Sequence, residues 1–150
     1  MGKITKASDD VIDAIHGVAE EMGIIHYARF FVLNITGQKQ LVKVTKASPT
    51  TEYFSNTSDT VIVYVNEEVY DKLEDKQREM LIANALYGVV FDLDKDKLNV
   101  NQPEMGVSIA GYRKYGADLV NAAETVQMIL QQIKEKKEEE KAAKSRKKND

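Results

Sequence analysis

The sequence contains no cysteine and no tryptophan, and it has only two histidines and two prolines. Without cysteine, the chain can form neither disulfides nor thiolate metal sites. Two histidines, His16 and His26, are too few for a histidine-rich metal centre within one chain. These absences exclude the classes of protein that rely on a disulfide framework or on a cysteine- and histidine-rich zinc site.

Long apolar runs are also missing. The first ten residues, MGKITKASDD, hold no apolar stretch after their first lysine, so we expect no signal peptide. No stretch approaches the roughly 20 apolar residues that a membrane span requires. The sequence therefore predicts a soluble protein made in the cytoplasm, without contact with a membrane.

Positive charge is scarce in the body of the chain. The formal net charge is −3, but residues 134–150 carry eight Lys or Arg against five Asp or Glu, which leaves −6 on residues 1–133. An acidic body argues against specific binding of nucleic acid, which needs clustered positive charge. In the tail, Glu138, Glu139 and Glu140 interrupt the basic residues, which favours a solvated helix over a phosphate-binding arm.

A chain of 150 residues favours one domain, with roughly two-thirds of the unfolded surface buried on folding. Residues 8–22 place apolar side chains at helical spacing, and Gly23 is a natural stop. We predict a single α+β domain over residues 1–133, beginning with this helix, and a charged helical extension over residues 134–150.

Three segments have the composition of strands. Residues 27–35 are rich in aromatic and β-branched residues, residues 40–46 alternate apolar and polar, and residues 60–65 are apolar throughout. A turn at residues 36–39 predicts a β-hairpin from the first two, with the third as a central strand. The predicted sheet is therefore small and three-stranded, with residues 50–59 as a polar loop.

The remaining segments are mainly helical. A helix that is apolar around much of its circumference should be the most buried, and residues 76–91 fit this description. The last helix has no apolar side chains to bury after Ile133, so its C-terminal end should fray in the isolated chain. A helix of about 30 residues extends about 45 Å, so this helix could reach a neighbouring molecule. The other predictions are a short helix capped by Asn66, a loop or small hairpin at 92–101, and helices at 103–116 and 117–147.

Four segments carry a family resemblance. They are ARFFVLNI at 28–35, KASP at 46–49, DTVIVYVNEEVYDKLEDKQREMLIANAL at 59–86 and a helix ending in RKYG at 113–116. In this order they resemble the phage metallopeptidase family, small zincin-like proteins encoded by bacteriophages and prophages. The resemblance covers residues 28–120 and implies a minimal zincin-like α+β fold, in which the three-stranded sheet packs on helices and a long C-terminal helix follows.

In that family the buried helix carries His-Glu-x-x-His, where the two histidines bind zinc and the glutamate activates the metal-bound water. Aligning QRE at 77–79 places Asn84 and Gly88 at the two histidines and Ala85 at the glutamate. The further ligand would lie near Pro103 and Glu104. The resemblance therefore implies a degenerate member with no metal, no cofactor and no catalytic residue.

The chemistry of the substituted residues supports this implication. Asn84 is a neutral and poor zinc ligand, Ala85 cannot accept a proton from water, and Gly88 offers no side chain. A glycine inside a helix costs about 1 kcal/mol relative to alanine. We therefore predict that a neighbouring backbone segment or a tyrosine approaches Gly88 closely.

Other candidate motifs are incomplete. Asp92, Asp94 and Asp96 resemble the start of an EF-hand loop, but that pattern requires glycine at its sixth position and glutamate at its twelfth, which Lys97 and Pro103 occupy here. No G-x-S-x-G elbow surrounds any of the candidate serine nucleophiles, which are Ser48, Ser55, Ser58 and Ser108.

Two aromatic residues in the polar segment, Tyr53 and Phe54, fit two roles. They are anchors for a protein partner, since aromatics are enriched at binding hot spots, or they cover the edge of the core.

Three functions follow as hypotheses. The first is a non-catalytic bacteriophage protein, a structural or assembly component of the virion, which binds other phage proteins or repeated copies of itself in the virion and the host cytoplasm. The second is a regulatory binder of a host or phage enzyme. The third is a divergent metal-dependent hydrolase, which would need Glu104 to converge with His16 or His26.

Overall fold

The structure is a computed structural model that describes residues 3–101 and 107–148. It is a mixed α+β fold with a small sheet and a long C-terminal helix, as predicted. The strands are β1 (Ile4–Lys6), β2 (Arg29–Ile35), β3 (Val42–Lys46), β4 (Thr60–Val65), β5 (Val89–Asp92) and β6 (Lys97–Val100). The helices are α1 (Asp9–Glu21), α2 (Pro49–Ser55), α3 (Glu67–Tyr70), α4 (Asp75–Leu86), α5 (Ile109–Tyr115) and α6 (Ala117–Lys148).

The main sheet has four strands in the order β1-β2-β4-β3. Strand β4 is central, as predicted, and it pairs parallel with β2 and antiparallel with β3. The predicted β-hairpin between β2 and β3 is therefore wrong, because β4 lies between them. The apolar strand is buried best with a neighbour on each side, whereas the alternating pattern of β3 suits an edge.

The predicted three-stranded sheet is also wrong, because β1 adds a fourth strand. This strand pairs antiparallel with the end of β2, with Ile4 opposite Ile35 and Lys6 opposite Leu33. Its three residues are all exposed, so the sequence gives it neither the length nor the alternation that marks a strand.

The core lies on one face of the sheet, between the strands and helices α1, α4 and α6. Helix α1 buries Val11, Ile15, Val18 and Ala19, which belong to the predicted apolar stripe. Helix α4 buries residues around most of its circumference, from Met80 to Leu86, which confirms it as the most buried helix. The strands contribute the side chains that point toward these helices, among them Phe30, Val32, Val44, Val61 and Val63.

Helix α4 ends at Leu86, five residues before the predicted end at 91. The following valines enter a separate two-stranded sheet, in which Val89 pairs with Val100 and Asp92 with Lys97. The alternative of a small hairpin in this region is therefore confirmed, although β5 begins before the predicted boundary. The apolar pattern continues from helix into strand without a break, which explains the misplaced boundary.

Two further elements differ from the prediction. Residues 50–59 were predicted as a polar loop, but Pro49–Ser55 forms α2, with the Ser48 side chain accepting a hydrogen bond from the Thr51 amide. Helix α5 begins at Ile109, capped by Ser108, and not at the predicted Pro103, which itself lies outside the described residues. Its predicted end at Gly116 is confirmed, with φ of 62° at that glycine.

Helix α6 is continuous over 32 residues. Its first half packs on the core through Leu119, Ala122, Val126 and Ile129, whereas residues 134–147 are exposed. No helix within residues 3–101 and 107–148 combines the length and the apolar character needed to cross a membrane.

Candidate functional site

Asn84, which the resemblance aligns with the first histidine, lies on α4 with only 6% of its surface exposed. Its Oδ1 accepts a hydrogen bond of 2.7 Å from the backbone amide of Ser108, and the Ser108 hydroxyl in turn accepts from the amide of Gly111. The Asn84 side chain therefore ties the buried helix to the first turn of α5. The amide oxygen that would face a metal is used in the packing of the protein itself.

Gly88, which the resemblance aligns with the second histidine, lies against the backbone of Asn101, the residue that follows β6. A Cβ at this position would lie 1.9 Å from the carbonyl oxygen of Asn101, and the Asn101 amide donates to the Gly88 carbonyl at 2.8 Å. The predicted close approach of a neighbouring backbone is therefore present. Since even a methyl group does not fit there without movement of the backbone, the geometry leaves no room for an imidazole.

Ala85, which the resemblance aligns with the catalytic glutamate, is half-buried and packs against the core. Its methyl group cannot accept a proton. Pro103 and Glu104, near the position of the further ligand, lie outside the described residues. The three positions on and just after α4 do not fit a zinc ion, because together they offer one amide already in use, one methyl group and one glycine.

Ser108 and Gly111 also contact Asn84, a role that the sequence does not predict for them. A Cβ at Gly111 would lie 2.8 Å from both the Ser108 hydroxyl and Leu119 Cδ2, and 3.1 Å from Asn84 Oδ1. Helices α4, α5 and α6 therefore meet closely around Asn84. The sequence does carry a signal, since serine is a preferred N-cap residue, but a proline is equally typical of a first helical turn and favours a start at 103.

The other candidate ligands are used elsewhere or exposed. His16 Nε2 lies 3.3 Å from the Phe30 carbonyl oxygen, within hydrogen-bond distance, and His26 is exposed in a 3-10 turn. Asp92 Oδ1 accepts from the amides of Asp94 and Lys95, which fixes the turn of the β5–β6 hairpin. Among the residues that the structure describes, no three His, Cys, Asp or Glu side chains form a group that could hold a metal.

The candidate serines have local structural roles. Ser48 and Ser108 cap α2 and α5 through their hydroxyl groups. Ser55 donates to the carbonyl of Thr51 within α2, and the carbonyl of Ser58 lies near the hydroxyl of Thr60. These contacts are typical of caps and turns.

Tyr53 and Phe54 protrude from α2. They are 81% and 80% exposed, and their rings meet edge to face with centroids 5.5 Å apart. Helix α2 buries none of its residues, so the rings do not cover the edge of the core. Of the two roles considered from the sequence, only the anchor for a partner fits this placement, and it stays a prediction.

Comparison with known proteins identifies no relative: no family model, no curated protein and no solved structure matches the chain.

Proposed function

We propose that this chain is a non-catalytic bacteriophage protein that retains a zincin-like metallopeptidase scaffold and acts by binding other proteins, as a component of the virus particle or of its assembly. The phage lineage rests on the resemblance of residues 28–120. The proposed loss of catalysis is supported by one structural observation, which is that Asn84 and Gly88, the residues that the resemblance aligns with the two histidines, make packing contacts.

Two contacts carry this observation. The Asn84 amide is bonded to the backbone of Ser108, and Gly88 faces the carbonyl of Asn101. A water-activating site needs open metal coordination and a base within hydrogen-bond reach. Breaking either contact would separate α4 from Asn101 or from the start of α5. The role that this geometry supports best is therefore structural.

The role in protein binding rests on α2. This seven-residue helix buries none of its residues, and its two adjacent aromatic rings are exposed. The rings therefore contribute little to the stability of the fold. Tyrosine and other large aromatics at the surface are typical of binding hot spots. We infer that Tyr53 and Phe54 contact a protein partner.

The direct test is the metal content and hydrolytic activity of the purified chain. We expect substoichiometric zinc after dialysis against a zinc-containing buffer, and no cleavage of a casein or mixed-peptide substrate. Stoichiometric zinc, together with hydrolysis that a chelator abolishes, would contradict the proposal and favour the divergent hydrolase.

Mass spectrometry of purified virions separates a particle component from a regulatory binder. A structural protein is present in many copies per particle, whereas a regulator made during infection is absent from it. We expect peptides of this chain at a copy number comparable to that of other particle proteins. Their absence from virions, with abundant protein in infected cells, would favour the regulatory binder.

A further inference from the structure

The main sheet has one face that the helices cover and one that they do not. Side chains that point toward the helices are buried, whereas those that point away are exposed or half-buried, for example Phe31 at 38% and Ile4 at 54% exposed. We call the second surface the outer face. Its apolar residues are Ile4, Phe31, Leu33, Ile35, Ile62 and Tyr64.

The outer face is concave at one end. A cavity of about 650 Å³ lies there, with a wall formed by the turn at residues 36–40. Its floor includes Ile4, Ile35 and Tyr64, and Lys43 lies at its side. This shape and lining suit an apolar group with a negative charge beside it.

The main sheet carries only positively charged side chains. Every charged side chain of strands β1 to β4 is basic, although the chain as a whole has a net charge of −3. One row of side chains across the four strands consists of Lys6, Leu33, Tyr64 and Lys43. The two lysines lie on the edge strands, and the two apolar residues lie between them. The apolar centre of the outer face is therefore flanked by positive charge on both sides.

The chain itself carries a group of matching chemistry. Tyr53 and Phe54 are exposed on α2, and the only charged residues in segment 49–59 are Glu52 and Asp59. Each ring can bury about 150–250 Å² on docking. An exposed aromatic pair in an acidic segment complements an apolar surface beside two lysines.

We propose that the outer face binds α2 of a second copy of this chain, so that copies associate head to tail. This inference rests on the proposed function, since it names the partner of Tyr53 and Phe54. The two surfaces are different parts of one chain, so each copy of a bound pair keeps one surface free, and the pair as a whole presents one free surface of each kind. Such heterologous contacts extend into rings or filaments.

Face-to-face pairing of two outer faces is the alternative for a second copy, and charge disfavours it. It would bring Lys6 and Lys43 of one copy near the same residues of the other, and like charges in contact cost binding energy. The head-to-tail arrangement instead sets the basic outer face against a segment whose charged residues, Glu52 and Asp59, are both acidic. One small helix buries less than the roughly 1,600 Å² of a standard interface, so each contact is weak and association depends on concentration.

Sedimentation velocity over a wide range of protein concentration tests the proposal with two variants. The face variant is Lys6→Glu/Lys43→Glu, which changes two exposed side chains, and the helix variant is Tyr53→Ser/Phe54→Ser. We expect the wild type to shift from the 16.9 kDa monomer to larger species as concentration rises. Each variant alone should remain a monomer, because it lacks one of the two surfaces.

An equimolar mixture of the two variants gives the decisive result. The face variant still carries a functional α2 and the helix variant a functional outer face, so the mixture should form a one-to-one dimer that does not grow further. The matched control is Lys72→Glu/Lys95→Glu, which reverses two exposed charges outside the outer face and should associate as the wild type does. Circular dichroism melts confirm that each variant is folded.

Several results would overturn the proposal. They are a wild type that stays monomeric at every concentration, a folded variant that associates as the wild type does, or a mixture that forms no dimer. A monomeric wild type without zinc-dependent hydrolysis rejects self-association and leaves the non-catalytic function standing. A monomer with zinc-dependent hydrolysis rejects both.

Discussion

At Gly88 and Gly17 the same amino acid has opposite surroundings. A Cβ at Gly88 would overlap the Asn101 carbonyl, whereas a Cβ at Gly17, on the exposed side of α1, would have nothing within 4 Å. The sequence predicted a close contact at Gly88 because glycine is costly in a helix. It could not identify Asn101 as the neighbour, since that contact depends on how the hairpin folds back.

Gly88→Ala should therefore destabilise the protein by about 1–3 kcal/mol, the usual cost of inserting an atom into a packed site. Gly17→Ala is the control and should stabilise α1 by up to about 1 kcal/mol, because alanine loses less backbone entropy. Urea unfolding measures both changes. Equal stabilisation by the two substitutions would contradict the close contact at Gly88.

Tyr70 provides a prediction about pH. Its side chain is buried with the Arg78 guanidinium 4.3 Å from the ring centroid, and burial raises the pKa of Tyr70 above its ordinary value even though Arg78 acts to lower it. A raised pKa means that folding favours the neutral phenol. This contribution is complete below the unfolded pKa of about 10 and is lost as the pH rises through the folded pKa.

The free energy of unfolding should therefore decline above about pH 10, and Tyr70→Phe should reduce that decline. Urea titrations at a series of pH values from 9 upward measure it, with Tyr53→Phe on an exposed ring as the control. An identical pH profile for the Tyr70→Phe variant and the wild type would exclude Tyr70 as the cause.

At the scale of elements, the helices were predicted more accurately than the pairing of strands. Apolar spacing located α1, α4 and α6 because each buries a face against the core. The closeness of β2 and β3 in sequence favours pairing between them. The observed order depends instead on which strand buries the most apolar surface in a central position, and that strand is β4. Helix α2 was missed because it has no apolar stripe to reveal it.

Because α2 buries none of its residues, we expect its two aromatic side chains to contribute little to the free energy of unfolding. Tyr53→Ala/Phe54→Ala should change the free energy of unfolding by less than about 0.5 kcal/mol, as is usual for surface substitutions. Phe30→Ala, in the core, is the control and should cost about 3–5 kcal/mol. Thermal and urea unfolding compare the two, and a large loss from the α2 variant would mean that the rings support the fold.

At the scale of the molecule, the long helix has two parts with different environments. Residues up to Ile133 contact the core, and Lys137 reaches Glu68 at 3.9 Å in an exposed ion pair. Exposed pairs of this kind contribute little to stability. The rest of the helix depends on its own hydrogen bonds and Glu–Lys spacings, which are marginal for a helix without tertiary contacts. The sequence predicted this division because the apolar residues end at Ile133.

Deletion of residues 138–150 should leave the urea unfolding midpoint unchanged and reduce the helical circular dichroism signal. Deletion of residues 122–150 is the control and should unfold the domain, because it removes Ala122, Val126 and Ile129 from the core. In the full chain, amide hydrogens after Lys137 should exchange rapidly. Strong protection of those amides in dilute protein would show that the extension is held by contacts within one copy.

The central position of β4 also has a consequence for the timing of folding during synthesis. Strands β2 and β3 are made first, yet neither pairs with the other. Strand β3 finds its partner only in residues 60–65, and until then β2 can pair only with the three residues of β1. A nascent chain that ends before Thr60 therefore leaves β3 unpaired and β2 paired at one end only, which is the condition under which chains aggregate or recruit chaperones. The ribosome must release β4 before β3 can be hydrogen-bonded in its native register and before β2 can be paired along its full length.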